Sequence, residues 1–408
     1  MTDRREIQKN KLRQNLIDSD ARVEVRERRS AAPFVIAFIV LIMVVAAFFH
    51  YRNESMLATS YEEAWNRETS GSGAALTFRG YCGFSGGIIT YTKDGAEFTD
   101  ENGNSVWQRS YQMNNPACDV NGSYAVIYDQ GGTHLNIFSN EQCTGSGNTV
   151  LPLSLARVSG KGVVYTVQND DDADFINVYR KDGAEIDLTV KSVVNGDGYP
   201  FDIAVSPEGS QLLTSYISVG DGVVTESVVF RNFGEVGQNE DARRVVGGFM
   251  DEFDGHIVTK VGFSGETYAH AFYDGGIVFF STKVLNSPEV LKKVEIEEEI
   301  LAVASCKSGI AVIVRTEDDD EPRKLMVFDN EGNVSGSAGF NIPFEGLEIN
   351  DTNVIIYSTD RILGYNLRGH LTADINYEGI LSFVCGTVKQ REFIAAESGR
   401  LCRIKGGY

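Results

Sequence analysis

Short motifs that would reveal a reaction are missing from this 408-residue sequence. Its six cysteines form no C-x-x-C pair, which argues against a redox centre and a structural zinc site. The five histidines form no H-x-x-H or H-E-x-x-H string, and His134 and His270 lie in predicted strands, where a structural histidine is the common case. There is no G-x-S-x-G elbow and no G-x-x-x-x-G-K-[ST] phosphate loop. The sequence therefore nominates no catalytic, cofactor-binding or metal-binding residue.

Positive charge is scarce beyond the N-terminus. The chain has 37 basic and 57 acidic residues and a formal net charge of −20, whereas residues 1–30 have nine basic and six acidic residues. A domain as acidic as the remainder repels polyanions, so we expect no nucleic-acid partner. The charge does not exclude cationic ligands, neutral ligands or proteins as partners.

One long apolar run follows this basic leader. Residues 31–49 (AAPFVIAFIVLIMVVAAFF) contain no charged residue. At about 1.5 Å per residue, and with help from flanking residues, a helix over residues 31–50 spans a hydrocarbon core of about 30 Å. Arg26, Arg28 and Arg29 precede it, so the positive-inside rule places the N-terminus in the cytoplasm and the C-terminal part outside. A cleaved signal peptide is the alternative, but its charged region would be unusually long.

The predicted localisation is therefore the cell membrane, crossed once and contacted through residues 31–50. A polar connector over residues 51–73 follows. It is predicted to continue the helix as far as Trp65 and to end at the flexible string TSGSG. The last predicted domain covers residues 74–408.

Beyond residue 74, short apolar runs bounded by Gly, Asn and Asp replace any helical pattern, which is typical of an all-β domain. The runs come in pairs, and the first run of each pair begins at residue 86, 124, 162, 211, 267, 309, 353 or 392. A period near 40 residues with four strand-sized segments indicates a β-propeller. We predict eight blades, with seven as the alternative because the intervals around residue 211 are wide.

A third element rich in small residues precedes several pairs, as in residues 116–123 (PACDVNGS) and 299–309 (EILAVASCKSG). Such a segment fits the innermost strand of a blade, which its neighbours crowd. The chain ends after the eighth pair, so the last blade lacks an outer strand. Residues 74–79 (AALTFR) are predicted to supply that strand and close the ring, because closure removes exposed sheet edges.

Four cysteines, Cys82, Cys118, Cys306 and Cys385, fall in predicted innermost strands, where cysteine packs as a small hydrophobe. Buried thiols are the main expectation, and disulfides are the alternative in an oxidising compartment. The candidate pairs are Cys118–Cys143 and Cys385–Cys402, because each pair falls within one predicted blade.

Residues 100–107 read DENGNSVW, a D-x-x-G-x-x-x-W string that follows the second run of the first pair. This string resembles the repeat of propellers related to pyrroloquinoline-quinone dehydrogenases and to the outer-membrane assembly lipoprotein of the same fold. The basic leader, single anchor and degenerate propeller together also resemble a family of Gram-positive bacterial membrane proteins of unknown function. The resemblance implies a fold and brings no catalytic residues with it.

The leading functional hypothesis is a membrane-anchored, extracytoplasmic β-propeller that binds or scaffolds a protein or a cell-envelope component, without a cofactor. The alternative is an envelope enzyme with its site at the channel mouth, either a glycan hydrolase or a quinone-type dehydrogenase. The acidity of the domain argues against an anionic quinone cofactor.

Overall fold

The computed structural model describes residues 3–20, 36, 38–45, 56–69, 78–194, 196–220, 222–234 and 244–407. The chain forms two compact units, Met1–Ser55 and Met56–Tyr408. The second unit carries the sheets and the candidate site.

The first unit contains a polar helix, α1 (Asp3–Asp20). Ile36 and residues 38–45 are also helical and exposed. Among the residues described, no helix combines the length and the apolar character needed to cross a bilayer. The rest of the predicted membrane helix 31–50, and the orienting residues Arg26, Arg28 and Arg29, lie outside the described residues. The anchor and its orientation therefore stay predictions.

The second unit is an eight-bladed β-propeller. Its described residues form eight sheets, each of four antiparallel strands. The paired apolar runs of the sequence are the second and third strands of the blades, as β7 and β8 in the second blade show. Neighbouring blades cover both faces of these strands, which explains why runs such as YAVIYD are apolar almost throughout. The prediction of eight blades is confirmed, and the alternative of seven is excluded.

The strands of the first four blades follow one another along the chain. Blade 1 consists of β2 (Arg79–Phe84), β3 (Gly87–Thr92), β4 (Gly95–Thr99) and β5 (Ser105–Ser110). Blade 2 consists of β6 (Pro116–Asn121), β7 (Tyr124–Asp129), β8 (His134–Ser139) and β9 (Cys143–Asn148). Blade 3 consists of β10 (Leu153–Val158), β11 (Val164–Asn169), β12 (Ala173–Tyr179) and β13 (Glu185–Val193). Blade 4 consists of β14 (Tyr199–Val205), β15 (Gln211–Gly220), β16 (Val223–Asn232) and β17 (Val245–Phe249).

The next three blades have the same order, and the eighth takes one strand from before blade 1, β1 (Ser60–Glu68). Blade 5 consists of β18 (Val258–Phe263), β19 (Tyr268–Tyr273), β20 (Gly276–Ser281) and β21 (Glu289–Glu295), preceded by a 3-10 helix (Asp251–Phe253). Blade 6 consists of β22 (Ile300–Cys306), β23 (Gly309–Arg315), β24 (Arg323–Phe328) and β25 (Val334–Phe340). Blade 7 consists of β26 (Gly346–Ile349), β27 (Val354–Tyr357), β28 (Arg361–Tyr365) and β29 (Leu371–Asn376). Blade 8 consists of β30 (Leu381–Gly386), β31 (Glu392–Glu397), β32 (Arg400–Gly407) and β1.

The wide intervals in the repeat have two sources. The interval before residue 211 contains the nine-residue β13 of blade 3. The interval after it contains β15 and β16, which have ten residues each and pair from Gln211↔Asn232 to Gly220↔Val223, and the 3-10 helix between β17 and β18. These longer segments widen the spacing without adding or removing a blade.

The ring is closed by β1, which pairs with β32 from Ser60↔Gly407 to Glu68↔Arg400. The prediction that residues 74–79 supply this strand is wrong. The propeller thus begins within the predicted connector, and Trp65 is in a strand rather than at the end of a helix. The sequence SYEEAWNRE does not look like a strand for two reasons. A bulge between Glu63 and Trp65 interrupts the alternation of inward-facing and outward-facing residues, and the many charged residues are those of an edge strand.

The D-x-x-G string of blade 1 forms a turn that the structure repeats in blade 6. Asp100 Oδ1 accepts the backbone N–H groups of Asn102 and Asn104 at 2.9 and 2.8 Å, and Gly103 has a positive φ of 86°. The same turn is formed by Asp329 with Gly332 (φ 82°). Aspartate closes the turn and glycine supplies its left-handed residue, which explains the spacing.

Trp107 of this string ties blade 1 to blade 2. Its ring stacks on Phe138 with centroids 4.3 Å apart, and its Nε1 donates to the carbonyl oxygen of Ser139 at 3.0 Å. The tryptophan of the string therefore has a structural role in the packing of blade 1 against blade 2. The structure supports the resemblance at the level of the fold.

Neither candidate disulfide fits the propeller. Cys118 lies in the first strand of blade 2 and Cys143 in the fourth, so three strand spacings of about 4.8 Å separate them. Cys385 and Cys402 lie two strands apart. A disulfide requires Cα atoms within about 7 Å. All six cysteines are unpaired in the structure.

Candidate binding site in the central channel

The first strands of most neighbouring blades contact one another and surround the centre of the ring. Small and apolar residues dominate these strands, as the sequence predicted. Six charged side chains interrupt them. Arg79 at the start of β2 donates a hydrogen bond to Thr69 Oγ1. The other five come from five different blades: Asp119 in β6, Arg157 in β10, Asp202 in β14, Lys260 in β18 and Glu348 in β26.

Three of these residues occupy the same position in their hairpins. Asp119 pairs with Val126, Arg157 with Tyr165 and Glu348 with Ile355. Each lies two residues before the residue that closes the hairpin turn, which is Asn121, Ser159 or Asn350. The other blades have Cys82, Gly262, Cys385, Ala204 or Ala304 at this position. Asp202 and Lys260 lie two residues before Ala204 and Gly262, on the same face of their strands.

Asp119, Arg157 and Asp202 form the bonded arc of the channel. Asp119 Oδ2 accepts the backbone N–H of Val158 in the next blade at 2.8 Å. Arg157 Nη2 donates to Asp202 Oδ1 at 2.8 Å, and Asp202 Oδ2 accepts the backbone N–H of Val261 at 3.0 Å. These contacts link the first strands of blades 2, 3, 4 and 5 in series.

The charges of the bonded arc compensate one another. Burial by itself would lower the pKa of Arg157, but Asp202 and Asp119 outweigh it and raise the pKa above its ordinary value. Burial raises the pKa of Asp119, and Arg157 offsets part of that rise. The side chains of Asp119 and Arg157 keep 24% and 25% of their surface accessible, and Asp202 keeps 8%. Water thus reaches the first two, as expected for groups that line a channel.

Lys260 and Glu348 form the open arc. In the part of the chain that the structure describes, neither side chain has a hydrogen-bonding or ion-pairing partner, although Lys260 is close enough to act electrostatically on Glu348 and Asp119. Blade 6 lies between them, and its first strand contributes Ala302 and Ala304. These small side chains leave room between the ammonium and the carboxyl group.

Glu348 has the character of a group held partly out of water. Burial raises its pKa to about 7, and Lys260 offsets only part of that rise. At neutral pH the carboxyl group therefore exists in both protonation states. It can accept a hydrogen bond from a cation or donate one to an acceptor.

A fully buried histidine lies behind the open arc. His270 accepts or donates a hydrogen bond at 3.1 Å between its Nδ1 and Ser264 Oγ, while its Nε2 has no partner among the described residues. A Cβ on Gly262 would lie 2.4 Å from that Nε2, so glycine is needed at this position of the first strand. Burial, together with the positive charge of Lys260, lowers the pKa of His270 to about 3. The imidazole is therefore neutral at physiological pH.

The open arc suits binding better than metal chemistry. Within the described ranges, no group of three or more histidine, cysteine, aspartate or glutamate residues has the arrangement of a metal site. An unpaired ammonium and an unpaired carboxyl group facing one channel can each pair with an opposite charge on a ligand. Such a ligand carries both a negative and a positive or hydrogen-bonding group.

These channel residues were not predicted from the sequence. They could have been found, because each charged channel residue lies in a short segment of otherwise small and apolar residues, such as GLEI or PFDIAV. Aligning the eight first strands by their pairing partners makes the charges stand out. That alignment needs strand boundaries, which can be predicted only approximately from the sequence.

A family profile matches residues 52–405, described as a family of unknown function, DUF5711. The chain belongs to this family. The matched range contains every strand of the propeller except the end of β32, including the closing strand β1. A search of curated proteins finds no significant match.

Solved structures with the same fold include Saccharomyces cerevisiae Sqt1, with 10% identity and a TM-score of 0.53 over 86% of this chain and 98% of that one. Chaetomium thermophilum Sqt1, bound to the N-terminus of ribosomal protein L10, has 12% identity and a TM-score of 0.52 over 79% and 94%. The WD40 domain of Neurospora crassa Pan2 has 12% identity and a TM-score of 0.44 over 72% and 89%. At these identities the similarity shows the fold alone.

Proposed function

We propose that the protein is a single-pass membrane protein whose propeller binds a protein partner outside the cell. The apolar run over residues 31–49 and the preceding Arg26, Arg28 and Arg29 support the anchor and its orientation. The partner is another membrane or envelope protein, because a tethered propeller reaches only what lies near the same membrane.

The observation that carries the binding role is the unpaired state of Lys260 and Glu348. The neighbouring channel charges satisfy one another, whereas these two have no bonded partner in the described chain. Glu348 is held partly out of water and lacks the bonded partner that such a group usually has, whereas Lys260 is exposed and can pair with an opposite charge on a ligand. A partner segment that enters the channel with an acidic and a basic side chain pairs with both groups.

The comparison with Sqt1 supports a protein as the ligand. One of the two Sqt1 structures contains an N-terminal segment of a ribosomal protein, so a propeller of this shape can hold a peptide segment. The net charge of this chain, −20 overall, favours a partner surface that is on balance positive.

Capture of the full-length protein after crosslinking in its native membrane tests this function. We expect one stoichiometric partner that is absent when the same capture is made with a variant truncated after residue 55. Recovery of the same partner by the truncated variant would contradict a role for the propeller in binding.

The membrane topology has its own test. A reporter enzyme that is active only outside the cytoplasm is fused after Tyr408, and a second reporter that is active only inside is fused at the same place. We expect activity from the first fusion alone. Activity from the second fusion would contradict the proposed orientation.

A glycan hydrolase is the second candidate, and the raised pKa of Glu348, about 7, is the observation that favours it. A carboxyl group that is half protonated at neutral pH suits a general acid. Hydrolysis of a soluble cell-wall glycan that is lost in Glu348→Gln but kept in Glu141→Gln, an exposed turn residue, would support this function. Turnover unaffected by Glu348→Gln would exclude it.

A further inference from the structure

The hairpin of blade 4 extends beyond the sheet to which it belongs. Its strands β15 and β16 pair with each other as far as Gly220↔Val223. The first strand of the blade pairs with β15 only as far as Ile217, and the fourth strand pairs with β16 only from Val228. Among the described residues, the end of this hairpin therefore has no strand on either side.

The projecting end of the hairpin is apolar and accessible. Val219, Val223 and Val224 expose 71%, 59% and 47% of their surface. A groove of about 370 Å³ lies between this end and the connection from blade 3, where Val194 lines it together with Val219 and Val223. Single exposed valines are ordinary, but several of them around a groove indicate a docking surface.

This end of the hairpin lies on one face of the ring, which we call the valine face. Because neighbouring strands of a blade run in opposite directions, the turns between second and third strands share this face with the connections between blades. Met250 and Ile257, in the connection between blades 4 and 5, are also exposed. The valine face thus has exposed apolar residues from blades 3, 4 and 5.

The turns that flank these residues are acidic. Three segments on the valine face consist only of exposed aspartate and glutamate residues: 170–172, 297–299 and 317–321. They belong to blade 3, to the connection between blades 5 and 6, and to blade 6, so they lie on both sides of the apolar residues around the ring. An apolar surface flanked by acids fits a protein surface that presents apolar side chains among lysine or arginine residues.

Turns on the opposite face carry both signs of charge. Lys161 pairs there with Glu208 at 3.2 Å, and Arg180 pairs with Asp182 at 3.4 Å. The valine face is therefore the better match for a basic partner.

Lipid and a second copy of the chain fit the valine face less well. β1, which follows the predicted anchor in the sequence, begins at the opposite face, because Ser60 pairs with Gly407 at the end of β32. The acidic turns would also repel anionic headgroups. A second copy would bring acidic turns against acidic turns, and like charges oppose such a contact.

We propose that the valine face of blades 3 to 5 docks a basic protein surface, with Val219, Val223 and Val224 as the apolar contact. The proposal rests on the proposed protein-binding function, and it names the surface and the partner chemistry that this function uses. The valine face continues inward to the open arc, because Ile257 lies directly before β18, the strand of Lys260.

Defined peptides test the proposal without the native partner. A labelled short peptide of alternating lysine and valine is titrated into the full-length protein in nanodiscs of neutral lipid, with empty nanodiscs as the blank. A lysine–serine peptide and a glutamate–valine peptide are titrated in the same way. We expect the lysine–valine peptide to bind most tightly, because it alone combines positive charge with apolar side chains.

The two comparison peptides separate charge from apolar contact. Equal binding of the lysine–serine peptide would overturn the apolar contact. Equal binding of the glutamate–valine peptide would overturn the charge complementarity.

Matched variants locate the surface. We expect Val219→Ser combined with Val223→Ser to weaken binding of the lysine–valine peptide about tenfold, because two apolar contacts are lost. Val284→Ser combined with Val334→Ser makes the same change at two exposed valines of the opposite face, and binding should equal that of the wild type. Equal dissociation constants in the two double variants would overturn the proposal.

The acidic turns have a separate test. Glu297→Gln combined with Glu298→Gln should weaken binding of the lysine–valine peptide at low salt and leave it unchanged at high salt, because salt screens exposed charges. Unchanged binding at low salt would overturn the role of these acids.

A different occupant of the valine face would also overturn the proposal. A wild-type dimer that the Val219→Ser, Val223→Ser variant turns into a monomer in sedimentation would show a second copy there. Quenching of a fluorophore at position 223 by brominated lipid in vesicles would show a lipid surface.

Failure of this proposal is distinguishable from failure of the proposed function. The capture experiment needs the native partner, whereas the peptide titration does not. Peptide binding that is lost only in the Val219→Ser, Val223→Ser variant supports the valine face even if capture finds no partner. Capture of a partner without these peptide differences would leave the binding function standing and overturn the valine face.

Discussion

The bonded arc and the open arc of the channel both lie in the first strands of the blades, yet they treat charge in opposite ways. In the bonded arc, Asp119, Arg157 and Asp202 bond to each other or to the next backbone. In the open arc, Lys260 and Glu348 interact only at a distance. The first arrangement stabilises the ring, whereas the second leaves groups ready for a ligand. The bonded partners of a charged side chain in the channel, and not its position, therefore indicate whether it stabilises the ring or can bind a ligand.

The largest expected effect comes from removing the cation of the bonded arc. Arg157→Met leaves the Asp202 and Asp119 carboxylates without a counter-charge, and breaking a buried pair in this way costs about 3 kcal/mol of the free energy of unfolding. Urea unfolding of the purified protein measures the loss.

The matched control is Arg180→Met, which removes an exposed ion pair with Asp182 in which both side chains are more than half accessible. An exposed pair contributes little to the free energy of unfolding, so we expect a much smaller loss than in Arg157→Met. Equal losses in the two variants would contradict the structural role of the bonded arc.

The second effect is a pH dependence of the free energy of unfolding, which we expect from Glu348 of the open arc. The pKa of Glu348 is about 7 in the folded protein against an ordinary value of 4.5, so the folded state retains a proton that the unfolded state has lost. Stability therefore falls as the pH rises from about 4.5 to 7 and then levels off. Allowing for partial contact with water, the total is roughly 2 kcal/mol.

Glu348→Gln removes this contribution. We expect the variant to match the wild type near pH 4.5 and to exceed its stability by roughly 2 kcal/mol at pH 8. Unfolding curves across that pH range, with Glu141→Gln as the exposed control, measure the difference. A difference that is constant across the range would show that Glu348 does not titrate as expected.

The smallest effect is the influence of Lys260 on Glu348. Because Lys260 lowers the pKa of Glu348, Lys260→Met should raise that pKa further and extend the fall in stability above pH 7. The change is about 1 kcal/mol or less at pH 8. A carbon NMR titration of the Glu348 carboxyl group measures the pKa directly, and an unchanged value would show that the two groups do not interact.

Much of the fold could be predicted because the second and third strands of each blade are buried on both faces. Runs such as GIAVIV and YAVIYD are apolar for that reason, and their spacing revealed the number of blades. The D-x-x-G turn could be predicted in the same way, since Gly103 needs a left-handed backbone.

The closing strand was missed because it lies at an edge and packs one face only. Its charged residues resemble those of a solvated connector, and the bulge at Trp65 interrupts its alternation. The sequence also contains nothing that shows where its partner strand β32 will be, since the two segments are separated by the whole propeller.

The candidate site could not be predicted because it is assembled from five blades. Asp119 and Glu348 are far apart in the chain and line the same channel only when the ring closes. The cysteine pairs were chosen by proximity in sequence. Cys118 and Cys143 lie in the first and fourth strands of blade 2, and the strand of Cys118 contacts β2 of the neighbouring blade, which sequence proximity cannot show.

The central claim is that the open arc binds the partner of the propeller, and charge reversal tests it most directly. The partner captured by Lys260→Glu is compared with the amount captured by Lys181→Glu, which reverses an exposed charge on the turn between β12 and β13. We expect Lys181→Glu to capture as much partner as the wild type and Lys260→Glu to capture little or none, with both variants folded. Equal capture by the two variants would contradict the account.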